Sequence, residues 1–260
     1  MTRAAPHRLY RYRGLLGPGL DRVRQMILGS EHFFTSPAKF NDPFDCRPVH
    51  RLDGTESEVR QYLQRLLEKF QPDQSPHDRA NEIAAILSDP SRDPRRPENL
   101  QLFAALIATF ATDQTGVLCL SAAPDVPLMW SHYAESHAGV CLGFDSESDH
   151  FAIAQPVRYT RNRPTIDPTA QTKAQMLEAS LFTKSLDWAY EEEWRIVVES
   201  GPGKYSMPRR PLRSVVTGAT ISHDHFKEIL GWIKSLKEPI ELYRAAPSAN
   251  TFNMELRRYR

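Results

Sequence analysis

Apolar residues change their period along this chain, and the change divides it. Val59, Tyr62, Leu63, Leu66, Leu67 and Phe70 recur at helical spacing and predict an amphipathic helix over 56–70. A shorter helix is expected over 81–87, and the apolar stretch 98–111 reads as a buried helix. Between them, 88–97 carries three prolines and three arginines and reads as an exposed linker. From Thr115 the pattern turns to strands: 116–121 is a continuous apolar run, and Val140, Leu142 and Phe144 alternate onto one face of 138–145.

Further strands are expected at 9–12, 32–36, 157–160, 193–199, 212–217, 240–243 and 252–256. Helices are expected at 20–28, 128–135, 169–182 and 223–236, the last with Phe226, Ile229, Leu230, Ile233 and Leu236 on one side. Strands and helices do not alternate regularly, which predicts an α+β fold around a mixed, mainly antiparallel sheet. The expectation is one domain over 1–260, with a helical insertion at 56–111 between sheet-forming halves, its Leu63, Leu67, Phe103 and Leu106 packing on the sheet.

Composition narrows the function classes. With 33 Lys+Arg against 32 Asp+Glu, the net charge of +1 gives no global field toward nucleic acid or membrane. Of the 33 cations, 25 are arginine, the residue suited to gripping phosphate or carboxylate, although arginine-rich codon usage accounts for the bias equally well. Three cysteines, Cys46, Cys119 and Cys141, show neither a C-x-x-C nor metal-ligand spacing, so no metal is expected. The basic N-terminal residues lack an apolar signal core, and no apolar run is long enough to span a bilayer. A cytoplasmic location is therefore expected. Neither G-x-G-x-x-G nor a phosphate loop is present.

Three blocks carry candidate chemistry. The first, Phe33 to Asp45, joins a strand to a proline-bracketed loop presenting Ser36, Asn41 and Asp42; the last two suit either a self-capping turn or a ribose contact. The second groups Trp130, His132, Tyr133 and His137. His132 and His137 are five apart, the wrong offset for two metal ligands on one helical face. Core packing and a recognition surface both fit this block. The third runs from Trp188 to Arg195. If 191–199 is extended, Glu191, Glu193 and Arg195 share one face at a sheet edge, with the carboxylates about 7 Å apart. That geometry suits a structural salt bridge, or a carboxylate stabilising an oxocarbenium-like centre.

The motifs F-N-D-P-F, M-W-S-H-Y-A…G-V-C-L-G-F and W-x-Y-E-x-E-W-R resemble a bacterial family of domains of unknown function, along nearly the whole chain. A second resemblance is to the ADP-ribosyltransferase architecture, carried by Arg11 (followed by Tyr12), Thr35-Ser36 and Glu191-x-Glu193 in that order. It implies NAD as substrate, Arg11 on its phosphate or ribose, and Glu193 on the ribose hydroxyl as nicotinamide leaves. Glu191 would be the second catalytic carboxylate. Tyr12, Ser36, Asn41, Asp42, Trp130, His132, Tyr133, His137, Trp188 and Arg195 would line the substrate site. The resulting expectation is an NAD- or nucleotide-processing enzyme, of the kind used in phage defence or as a toxin, with an acceptor that the sequence leaves open. The alternative is a non-catalytic nucleotide-sensing or protein-interaction module.

Overall fold

A computed structural model describes residues 6–104, 114–148, 150–207 and 211–259. The chain forms an α+β fold of two compact units, one from 1–39, 114–159 and 186–260, the other from 40–113 and 160–185.

The first unit is built on an eight-stranded sheet. Its spatial order is Met254–Arg258, Glu241–Pro247, Leu212–Thr217, Val140–Asp145, Arg8–Arg13, Gly116–Ser121, Glu193–Val198 and Gln155–Pro156. Neighbours are antiparallel except Leu212–Thr217 with Glu241–Pro247, which run parallel. The alternation of side chains along each strand sorts the sheet into two faces. On one face Leu9, Leu118, Leu120, Leu142, Phe144, Trp194, Ile196 and Val215 form the main core with Val23, Met26, Ile27 and Ile229 from helical segments. On the other, Tyr12, Cys141, Val216, Ala245 and Met254 pack against Met129, Trp130 and Ala134. Trp130, wholly buried, anchors this second core edge-on to Tyr12 at 5.2 Å.

Three features were not expected. The helix after the first strand spans only Gly19–Arg24, then widens into a π turn over Gln25–Gly29 that Ser30 closes at φ 50°. A strand at Gly203–Ser206 pairs with Glu31–Phe34, some 170 residues earlier. Strand Glu193–Val198 is not a sheet edge, because Trp194 and Arg195 pair with Pro156 and Gln155 on its outer side.

In the second unit, helix Glu56–Phe70 begins at a capping box between Thr55 and Glu58, and helix Pro76–Ser88 is capped by Ser75. The cap carries this second helix five residues beyond the expected start at 81. Leu52, Val59, Leu63, Ile83 and Leu87 form its core, with Leu67, Leu100 and Phe103 packed against it. Leu63, Leu67 and Phe103, expected to seat a layer on the sheet, thus belong to this unit's own core. Leu102 is 75% exposed, and the expected contact Leu106 lies outside the described residues. The 88–97 segment is tied down: Arg95 grips the buried Asp93, with Nη2 to Oδ2 at 2.7 Å, and its Nη1 reaches Glu56 Oε2 on helix Glu56–Phe70 at 3.3 Å.

Candidate ligand site

The second block owes its shape to how a short helix ends. Pro127 presets the first turn of helix Pro127–Tyr133. Its last carbonyls would be left without donors, and the chain answers with three consecutive left-handed residues: Glu135, Ser136 and His137 at φ 53°, 49° and 70°. Through them the Ser136 and His137 amides reach Ser131 O and Trp130 O, while Gly139 N donates to Ala134 O at 2.7 Å. Such backbone is strained for non-glycine residues and persists where its surroundings fix it. Here Glu135 Oε2 accepts from the Leu15 and Leu16 amides at 2.8 and 3.2 Å, and His137 O accepts from Thr220 N. Close approach demands glycine at two positions: a Cβ on Gly139 would strike Arg13 O, and one on Gly218 would strike His137 O.

The anchored helix presents His132 and Tyr133, and the 3₁₀ segment Leu186–Glu191 brings Trp188 and Tyr190 to them. His132 lies 6.2 Å from the Tyr133 ring, 6.3 Å from Trp188 and 6.5 Å from Tyr190, and Trp188 and Tyr190 are 6.0 Å apart. His132 is exposed and the other three rings are half-buried, so the cluster faces solvent. Tyr133 Oη donates to Glu191 Oε1 at 2.7 Å, and Ser121 Oγ donates to the Glu191 carbonyl at 2.6 Å. A buried carboxylate with its attached phenol therefore sits beside four aromatic rings.

The third block departs from its expected geometry. Glu191 ends the 3₁₀ segment and Glu192 is left-handed at φ 43°, so Glu191 is off the strand and outside its alternation with Glu193 and Arg195. Glu193 and Arg195 do share a face, and they hold each other: Nε to Oε1 is 2.8 Å and Nη2 to Oε2 is 2.9 Å. Only 5% of the Glu193 side chain and none of Arg195 is exposed. Paired so far from water, the two charges act first as structure.

Other expected site residues scatter. Trp130 is core, its Nε1 donating to Pro124 O, and Tyr12 donates to Ala123 O at 2.8 Å. Burial pushes the Tyr12 phenol pKa strongly upward, which keeps it a neutral donor. Ser36 is buried, its Oγ accepting from Ala38 N within its own turn. Asn41 and Asp42 belong to the second unit, where Asn41 is exposed and Asp42 Oδ1 accepts from Phe44 N at 2.9 Å. Arg11 departs most from expectation. Two residues from Leu9, it points to the main-core face, whereas Glu193, one residue before core-facing Trp194, points to the other. Arg11 and Glu193 thus project from opposite faces of one sheet, and the single cleft expected for them does not form.

Sequence reasoning missed Tyr190, although it stands inside the third block. It also missed Glu135 and Ser121, whose contacts lie 120 and 70 residues away and leave no local signal. Among the described residues, no group of three or more His, Cys, Asp or Glu is placed to hold a metal ion, and no helix is long and apolar enough to cross a membrane. No curated protein and no solved structure matches the chain. Residues 129–196, from the anchored helix through the ring cluster to the Glu193–Arg195 pair, match the model of a family described as a protein of unknown function, DUF2971.

Proposed function

We propose that this chain binds a nucleotide or a similar small planar ligand, stacking its base on His132, Tyr133, Trp188 and Tyr190. The observation that carries this reading is the ring cluster itself. Two segments some 55 residues apart bring four rings together, and the cluster still faces water. Base stacking on aromatic side chains contributes about 1–3 kcal/mol per base. Glu191, buried beneath the rings, holds Tyr133 in the platform through its carboxylate. Glu193 and Arg195 stiffen the strand behind the platform.

A second reading, NAD processing, is supported by Glu191, a carboxylate beside an aromatic platform. It reassigns to Glu191 the role expected of Glu193, both of whose oxygens Arg195 engages, and it proceeds without Arg11. Titration with adenosine and nicotinamide, which carry no phosphate, tests the binding reading: each affinity should fall roughly tenfold or more in Trp188→Ala. Unchanged affinity in that variant would remove the platform from the account. Nicotinamide release from NAD that vanishes in Glu191→Gln, at matched folded concentration, would decide for catalysis.

A further inference from the structure

The main-core face of the same sheet holds polar groups without partners. Arg11 is 4% exposed; its Nη2 donates to Phe33 O at 2.9 Å, but Nε and Nη1 are buried with no hydrogen-bond partner among the described residues. His32, 1% exposed, likewise has neither ring nitrogen paired among them. Its ring stands edge-on to Phe144 and Phe151, and burial, then Arg11 and Arg13, push its pKa down to about 3, so the imidazole is neutral and keeps one N–H. Folded proteins rarely leave buried donors unsatisfied, and each such group calls for an explanation.

Both residues line one cavity of about 260 Å³. Around it stand Arg13, Arg22, Lys39 and Lys204, and the one acidic residue lining it among the described residues, Glu31, is engaged by Lys204 at 3.9 Å. Five cationic side chains therefore face a single carboxylate in a chain whose net charge is only +1. Burial, then the like charge of Arg13, also drives the Arg11 pKa well down, as expected of a guanidinium lacking a counter-anion.

We propose that this cavity is a phosphate site, in which Arg11 and His32 donate to a phosphoryl group whose charge the surrounding Arg13, Arg22, Lys39 and Lys204 offset. The free Arg11 nitrogens lie on different edges of the guanidinium and call for acceptor oxygens arriving from more than one direction. A phosphoryl group brings three acceptor oxygens and up to two negative charges to Arg11, His32 and the surrounding cations, where a carboxylate brings two oxygens and one charge. Phe33, 37% exposed with the Arg22 guanidinium 5.7 Å from its ring centre, gives the cavity an aromatic surface on which the organic part of a phosphate ester can rest. This site is separate from the ring cluster, because Arg11 and its neighbour Tyr12 leave opposite faces of the sheet.

The test is thermal unfolding and calorimetric titration with inorganic phosphate, against sodium chloride at matched ionic strength. Wild type should bind phosphate saturably and melt higher in it, and Arg11→Met should lose both responses. The exposed pair Lys39→Ala/Lys204→Ala should weaken binding roughly tenfold, and it decides the matter should Arg11→Met fail to fold. No saturable phosphate response in wild type, or full response in Arg11→Met or in the lysine pair, overturns the proposal. An arm with AMP, run in Trp188→Ala so that stacking on the other face cannot contribute, separates the sources. AMP tighter than phosphate by about tenfold supports an ester as the ligand, and equal affinity supports the phosphoryl group alone.

Discussion

The two faces of the large sheet treat their polar groups in opposite ways. On the ring-cluster face the charged and aromatic groups close on other protein groups, Glu193 on Arg195, Tyr133 on Glu191, Tyr12 on Ala123 O and Trp130 on Pro124 O, and only the small Ser214 hydroxyl is left open among the described residues traced there. On the Arg11 face, donors of Arg11 and His32 are buried with no partner among the described residues. A closed network fixes geometry and leaves recognition to what it presents outward, here four rings. An open one carries a standing cost that a bound anion would relieve. Polar residues of similar type can therefore be scaffold on one face and binding groups on the other, and the hydrogen-bond accounting tells them apart.

The sharpest break in that comparison comes from the Glu193–Arg195 pair. Glu193→Gln removes one charge of a buried, doubly hydrogen-bonded pair and should cost about 3–5 kcal/mol in denaturant unfolding. Replacing both members by apolar residues of similar size should cost much less; an equal loss would mean that the pair is not the source of the effect. His32 gives a pH signature for the other face. Its folded pKa, pushed to about 3 mainly by burial, lies below its ordinary 6.5. Between those values the unfolded chain holds the extra proton, so stability is full above about pH 6.5 and falls as pH drops toward 3. The slope from this group should reach up to about 1.4 kcal/mol per pH unit. His32→Phe should flatten the stability curve between pH 6.5 and 5, and an unchanged slope would show that His32 is not held neutral. The smallest effect belongs to Tyr133→Phe, which removes the hydroxyl from Glu191. It should cost about 0.5–1.5 kcal/mol and loosen the 3₁₀ segment, read as faster amide exchange at Trp188 and Tyr190.

The sequence disclosed regular elements more readily than the turns that aim the site. Strands 116–121 and 212–217 were legible to the residue, the first from its continuous apolar run and the second from β-branched residues bracketed by Pro211 and Gly218. Helix Glu56–Phe70 was legible from its periodic face. Glu191 was misplaced because the strand pattern of 193–198 extends smoothly back through it. What separates it is the left-handed Glu192, and no apolar period reports a backbone dihedral. Strand Gly203–Ser206 is short and polar, and only its distant partner makes it a strand. Within the site, His132 and Tyr133 of the second block and Trp188 of the third come together. The sequence pattern did not separate Arg11 from Glu193, because a face is fixed by register across several strands rather than by residue type. The open donors of Arg11 and His32 were equally invisible, since a missing partner is a property of the folded whole.

Adenosine titrated calorimetrically into wild type, Trp188→Ala and Arg11→Met tests most directly the claim that the ring cluster is the recognition surface. The account predicts saturable binding to wild type, weakened about tenfold or more in Trp188→Ala and unchanged in a folded Arg11→Met. Equal affinity in wild type and Trp188→Ala, or loss of adenosine binding in a folded Arg11→Met, would contradict it.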